Sequence, residues 1–275
     1  MRRARFTVAY DGTSYNGFAE QVGVPTVMGE LRAAIERITQ RQIDMFGAGR
    51  TDAGVHGWGQ VVSLDLPEGT DLAGLQRRIN RLCSPGLAAR DIEWVADPEF
   101  HARFSAVYRH YRYHVLNSKE PNPFVARTAW HITERLHLPN MVLACDPLIG
   151  EHDFATFCRR PKQADDEPPK SLVRRVIRAD WKVVEGDTPG LLRFEIRANA
   201  FCHQMVRSIV GTLVDVGLGK LHAGDMRSIL IQRNRQFAGQ VAPPHGLVLW
   251  EVGYPVAGPT AQPVVVAGPS RAAGA

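Results

Sequence analysis

Gly47-Ala48-Gly49-Arg50-Thr51-Asp52-Ala53-Gly54-Val55-His56 leads, through Gly57-Trp58, into Gly59-Gln60-Val61-Val62-Ser63-Leu64-Asp65-Leu66. The residues after the glycines decide the fold. A dinucleotide-binding loop needs a third glycine at fixed spacing and a helix whose N-terminus receives the pyrophosphate. Here the third glycine is displaced to Gly54, and the loop enters a strand-like run, Gly59 to Leu66. Gln42 to Phe46 reads as a strand on the near side. The loop therefore joins strand to strand, which argues against a doubly wound nucleotide fold and for an α+β class.

The same loop has a chemical reading. Glycine permits backbone angles and close approaches that other residues forbid. A plain turn has no use for Arg50, Asp52 and His56 crowded together. The grouping suggests an Asp52 carboxylate held ionised by a neighbouring guanidinium, with open backbone around it for a bulky substrate.

Outward from the loop, the first half reads strand, helix, strand, strand, helix, strand. Arg5 to Tyr10 is a strand ending at the Asp11-Gly12 turn. Val27 to Thr39 carries Val27, Leu31, Ala34, Ile35 and Ile38 at helical spacing, with Thr26 as N-cap. Asp71 to Leu82 sets Leu72, Leu75, Ile79 and Leu82 on one helical face, and Asp91 to Val95 closes the half. The second half keeps this rhythm. Ala106 to Leu116 is a long strand. Pro139 to Ile149 is a weak helix that Pro147 should kink or shorten. Val173 to Val184 and Leu191 to Ala200 are strands joined by a Gly/Pro-rich hairpin. Cys202 to Val216 is an apolar helix stopped by Gly217 and Gly219, Ala223 to Gln232 a further helix, and Leu247 to Val252 a last strand. The expectation is two tandem ferredoxin-like βαββαβ halves, residues 1–104 and 105–256, with antiparallel sheets flanked by helices and an active-site cleft between them. Arg159 to Ser171, with three prolines, is expected to be a mobile loop, and residues 257–275 a disordered tail.

Composition narrows the partners. The 275 residues carry a formal net charge of +5, which tilts toward a polyanion without deciding it. No apolar run is long enough to span a bilayer, and Met1-Arg2-Arg3-Ala4-Arg5 runs into a strand rather than a signal-peptide core. A cytoplasmic protein without a membrane partner is expected. Cys83, Cys145, Cys158 and Cys202 are scattered with no CxxC pair, and are expected to be reduced thiols rather than a disulfide or zinc site. The chain has no Walker A sequence, and no HExxH or paired His/Cys spacing supports a metal site.

Two more segments carry chemistry. Phe100-His101-Ala102-Arg103-Phe104-Ser105-Ala106 leads into Val107-Tyr108-Arg109-His110-Tyr111-Arg112-Tyr113-His114. Strand periodicity sets Arg109, Tyr111 and Tyr113 on one face and Tyr108, His110, Arg112 and His114 on the other. Rings interleaved with cations suit base stacking and phosphate contact. Tyr108 and Tyr113 read as residues of an ordinary sheet with one tyrosine face in the core and the other solvated, while spacing leaves Tyr111 open. In Phe201-Cys202-His203-Gln204-Met205-Val206-Arg207, Arg207 stands in the first turns of a helix, where the macrodipole disfavours a cation. It should answer a nearby anion: Asp52, or Glu195 or Asp215 as a structural pair.

Taken together, Tyr10-Asp11-Gly12, GRTDAGVH, FHARFSA, the tyrosine-bearing strand, NAFCHQMVRSIVG and Gly246-Leu247 are similar to the tRNA pseudouridine synthase A (TruA) family, from about Phe6 to Tyr254. One departure is Gly17-Phe18-Ala19, where the family has Gly-Trp-Gln; an indole donor is lost there. The resemblance implies isomerisation of uridine to pseudouridine at positions 38, 39 and 40 of the tRNA anticodon stem-loop, with base flipping. It also implies a homodimer acting on tRNA and not DNA, with no cofactor and no metal. Carried over by position, Asp52 matches the nucleophile, Tyr111 the tyrosine that stacks on the target base, and Arg50 and Arg207 the flanking arginines. His56 and Arg103, inside matched motifs, are candidate substrate contacts. Arg77, Arg78, Arg81, Arg159, Arg160 and Lys162 are candidates for positioning RNA. Two other readings use the same residues: a tRNA-binding factor without chemistry, whose effect would survive loss of Asp52, and an N-glycosidase, which would release free uracil.

Overall fold

The computed structural model describes residues 1–160 and 171–255. Most of the proline-rich segment, Lys162 included, and the C-terminal stretch expected to be a tail lie outside the described residues.

The chain runs β1 (Arg2–Tyr10), α1 (Val27–Thr39), β2 (Met45–Gly47), β3 (His56–Leu66), α2 (Leu72–Cys83), β4 (Leu87–Trp94), β5 (Tyr108–Asn117), β6 (Trp130–Ile132), α3 (Leu138–Leu143), β7 (Gly150–Asp153), β8 (Val173–Val183), β9 (Leu191–Ala198), α4 (Met205–Gly217), α5 (Asp225–Ile231) and β10 (Leu247–Gly253). Local chemistry explains most boundaries. In β1, Ala4, Phe6, Val8 and Tyr10 alternate inward with the two-residue period of a strand. The Thr26 hydroxyl accepts from the Gly29 N–H and starts α1, and the Asp71 carboxylate accepts from the Gly74 N–H and starts α2. The buried stripe of α2 steps by four through Leu75, Ile79 and Cys83. Leu82, expected on that stripe, is turned out and exposed. Near Pro147 the chain leaves α3 and continues as a short 3-10 turn, Asp146–Leu148. Helix α4 begins at Met205, not Cys202, because Gln204 takes a left-handed φ of 63°.

The ten strands form one sheet, not the two expected, in the order β4-β1-β3-β10-β5-β9-β8-β7, with β2 on β3 and β6 on β5. The halves join where β10 pairs in parallel with the start of β3, Val248 opposite His56 and Leu249 opposite Gly57. Pairing of β5 with β6 is also parallel, and the remaining pairs are antiparallel. β2 pairs with β3 further along, at Val62–Leu64. The loop from β2 back to β3 therefore rises over the junction of the halves.

Two hydrophobic cores flank the junction. One gathers Phe6, Leu31, Ile35, Leu64, Leu66, Leu75 and Ile79; the other gathers Tyr113, Phe154, Phe157, Phe194, Ile209 and Leu213. Ala48 and Val55, at the two ends of the glycine-rich loop, pack into the second core although their strands serve the first. Tyr113 is core, as its spacing suggested, and its hydroxyl donates to the Pro243 carbonyl at 2.8 Å.

Candidate active site

Asp52 stands on a loop that is fastened nearly residue by residue. Ala48 N–H donates to the Val61 carbonyl (2.8 Å), and the buried Gln60 amide donates to the Gly49 carbonyl (2.9 Å). The Thr51 carbonyl accepts from Phe18 N–H (3.1 Å), while the Thr51 hydroxyl lies 2.9 Å from that of buried Tyr10. Val55 N–H returns to the Asp52 carbonyl (3.2 Å), closing a turn whose third residue, Gly54, has φ of 78°. Glycine takes that conformation without strain. Gly12 packs so closely on the Val55 carbonyl that a methyl group would overlap it. The glycines thus give a rigid mount rather than an open hinge. Phe18, which replaces the family's tryptophan, is buried with its ring against Gly47. The ring at this position therefore packs under the start of the loop.

The Asp52 side chain is one-quarter exposed. Arg207 Nη1 is 2.9 Å from Oδ2, and His203 Nε2 is 3.3 Å from Oδ1. Arg207 is the third residue of α4, and its Nε donates to the Ala242 carbonyl at 2.7 Å, which sets the guanidinium before it meets the acid. The other two candidate anions are taken. Glu195 lies 3.1 Å from Arg112, 3.0 Å from Arg193 and 3.3 Å from Lys182; Asp215 lies 3.2 Å from Lys220. The acid comes from the first half and its two partners, Arg207 and His203, from the second, so the site sits where the halves meet.

Tyr111 is buried and meets the Phe201 ring edge-on, with centroids 5.0 Å apart. Burial, then the neighbouring Tyr10 and Asp52, push its phenol well above the ordinary tyrosine value. At neutral pH the phenol therefore keeps its proton.

Three other candidates stand apart from the Asp52–Arg207 pair. Arg50 is exposed and forms no ion pair among the described residues, so the guanidinium beside the acid is that of Arg207. His56 is buried in backbone contacts. Its Nδ1 lies 3.0 Å from the Gly12 nitrogen and 3.2 Å from Asp11 Oδ1, and its Nε2 lies 2.9 Å from the Arg127 carbonyl and 3.0 Å from that of His245. No ring nitrogen is left for a substrate, and the residue ties three segments together. Arg103 is exposed, lies over the Phe104 ring and has no ion pair among the described residues. Arg77, Arg78, Arg81, Arg159 and Arg160 are exposed as well.

Three residues enter that sequence reasoning missed. His203 is the first. The second is Arg109, which donates to the carbonyls of Ala48 (2.9 Å), Arg103 (2.6 Å) and Asn199 (3.0 Å), clipping the Asp52 loop to both other motifs. Its place on the Tyr111 face of β5 was the available signal. Arg235 is the third, donating to the Gln204 side-chain oxygen at 2.5 Å. Burial, then the charges of Arg159 and Arg207, lower its pKa. No spacing in the chain marks it.

The cysteine expectation is half overturned. Cys83 and Cys145 are buried free thiols; burial pushes Cys83 up to about 11 and Cys145 higher. Cys158 and Cys202 are joined as a disulfide with Cα atoms 5.7 Å apart. Their sequence separation of 44 hides the contact, which forms because the chain before α4 returns beside the turn at Ala155–Phe157. Alkylation of the unfolded, unreduced protein is expected to label two cysteines, and four after reduction. Four labels before reduction would remove the cross-link.

By class the chain is a pseudouridine synthase: a family model described as tRNA pseudouridine synthase matches residues 7–105 and 144–255. Those stretches hold Asp52 and Arg207; Tyr111 falls between them. The chain is 38% identical over 254 residues to tRNA pseudouridine synthase A of Bacillus subtilis (strain 168), covering 92% of this chain and 99% of that one. It is 39% identical over 254 residues to the enzyme of the same name from Brevibacillus brevis, covering 92% of this chain and 100% of that one. The chain belongs to the tRNA pseudouridine synthase A family. Among the described residues, no helix is long and apolar enough to cross a membrane.

Proposed function

We propose that this isomerase converts uridines 38, 39 and 40 of the tRNA anticodon stem-loop to pseudouridine, with Asp52 engaging the ribose of a nucleotide flipped out of the stem. One observation carries the reading: Asp52, on a fixed loop at the junction of the halves, has a cation or imidazole at each carboxylate oxygen and a neutral tyrosine close by.

The reaction breaks the bond from C1′ to N1 and forms one from C1′ to C5. The C5 proton leaves and N1 regains a proton, so nothing is oxidised or reduced, and the reading includes no cofactor and no metal. As the glycosidic bond breaks, positive character grows on the sugar and negative character on the base. An ionised Asp52 suits the first by covalent attack or by charge, and it suits removal of the sugar proton on a glycal route; attack on the base would use the same carboxylate. Arg207 cannot act as a base, because a guanidinium keeps its proton, so its role is to hold Asp52. Extruding the nucleotide costs roughly a few kcal/mol, which stacking on Tyr111 offsets in part.

The cationic rim suits phosphates. Arg207 and Arg159 both lie near Arg235, and among the described residues the carboxylate that meets this group is Asp52. Exposed Arg50 and Arg103 are free to reach the RNA backbone. The reading includes a cytoplasmic homodimer that presents both subunits to one tRNA. It also treats residues 1–104 and 105–256 as a fused repeat, supported by matching strand orders, β4-β1-β3-β2 and β10-β5-β9-β8.

Incubation with an unmodified tRNA transcript, followed by chemical mapping, is expected to place pseudouridine within positions 38–40. Modification confined to other positions would refute the assignment, and release of free uracil would make the protein a hydrolase.

A further inference from the structure

His203 has no part in the chemistry derived above, yet it touches the central carboxylate. Its Nε2 lies 3.3 Å from Asp52 Oδ1, the oxygen that Arg207 does not hold. We propose that His203 is a positioning residue for the isomerisation: with Arg207 it grips Asp52 from both sides and fixes the plane of the carboxylate. The inference rests on the reading of Asp52 as the group that engages the sugar.

An aspartate does not set this plane by itself. Rotation about its last torsion is broad, without the sharp staggered wells of an aliphatic chain. One donor on Oδ2 leaves Oδ1 free to swing about that contact. A second group at Oδ1 removes the freedom. The reacting atoms must meet along a narrow approach, so orientation converts directly into rate.

The surroundings of His203 fit this task. Its side chain is 46% exposed, so packing does not hold the ring in place. The main chain beneath is held instead. Cys202 is cross-linked to Cys158, the His203 carbonyl accepts from Arg159 N–H at 2.9 Å, and the Gln204 side chain accepts from Arg235. Segments 158–159 and 235 thus converge on three successive residues, 202–204, immediately before α4. Among the described residues His203 forms no ion pair other than that with Asp52. The charged groups around the pair, among the described residues, are Arg207 on the same carboxylate, Arg235 close to Arg207, and Arg159 close to Arg235. Histidine suits the place because Nε2–H serves as a donor in the imidazolium and in one neutral tautomer.

The test is single-turnover pseudouridine formation, with tRNA affinity measured in parallel, for the wild-type protein, His203→Ala, His203→Gln and Asp52→Asn. His203→Ala is expected to slow the single-turnover step by about 10- to 100-fold, the scale of a small misplacement of a reacting group, with Kd for tRNA within about twofold. His203→Gln, which returns an N–H at similar reach, is expected to recover most of the rate, and added imidazole to recover part of it in His203→Ala. Wild-type turnover in His203→Ala would overturn the inference. So would a loss that appears in Kd alone, or one that neither glutamine nor imidazole relieves. If Asp52→Asn turns over normally, the reading of Asp52 fails and takes this inference with it. If Asp52→Asn is inactive while His203→Ala is unimpaired, only the inference fails.

Discussion

Asp52→Asn is expected to abolish pseudouridine formation, by about 10³-fold or more, while leaving tRNA affinity nearly intact; loss of a reacting group commonly costs this much. The amide has the size of the carboxylate, so the loop's fastenings at Ala48, Gly49, Thr51 and Val55 are untouched. What disappears is the negative charge that answers positive character on the sugar. The amide nitrogen is also the wrong partner for a guanidinium, so Arg207 favours the orientation that turns the amide oxygen toward it. Stability should fall little. The amide still offers an oxygen to Arg207, and that guanidinium keeps its bond to the Ala242 carbonyl. Binding should not suffer either, because removing an anion from a cationic rim does not weaken attraction to a polyanion. Mapping of the modified nucleotide, with a filter-binding titration of the same tRNA, separates the two quantities. Near-normal turnover would remove Asp52 from its role, while equal loss of turnover and affinity would make it a binding residue.

The chain announced some parts of this site and concealed others, for physical reasons. The anion opposite Arg207 was legible because a cation in the first turn of a helix is out of place unless something balances it, and Asp52 was among the three candidates named. Thr26 and the core role of Tyr113 were legible because capping and strand alternation act over a few residues. His56 misled. It stands in a motif crowded with functional side chains, yet the fold uses both ring nitrogens to tie Gly12, Arg127 and His245. A residue that knots three distant segments looks, in sequence, the same as one that faces a ligand. His203, Arg235 and the Cys158–Cys202 pair were hidden for the converse reason: each acts only through contacts between segments far apart in the chain. The single sheet was hidden in the same way. It depends on two residue pairs between β3 and β10, which no local pattern foreshadows. β6 and β7, three and four residues long, are too short to show a period.

Tyr111→Phe is expected to slow pseudouridine formation by about 10²- to 10⁴-fold, the usual contribution of a positioned proton-transfer group, with little change in stability or tRNA affinity. Phenylalanine keeps the buried ring and its edge-on contact with Phe201. The hydroxyl's environment is set by burial and by neighbouring Tyr10, Asp52 and Arg109, and among the described residues it forms no hydrogen bond for the substitution to break. A change confined to the chemical step therefore reports on the proton. The sign follows from the raised phenol: a tyrosine above its ordinary value keeps its proton to higher pH, so the neutral form is the one present from pH 6 to about 10. Tyr111 should act as a donor, and the wild-type rate should show no alkaline rise that disappears in Tyr111→Phe. Such a rise would mean that the phenolate is the working form. Tyr111→Ala separates the remaining role. It removes the stacking surface as well, and is expected to weaken binding of a tRNA carrying an extruded base by about 1–3 kcal/mol, which Tyr111→Phe should not do. If phenylalanine turns over like the wild type and alanine does not, Tyr111 is a stacking platform and the proton that N1 regains must come from elsewhere in the cleft.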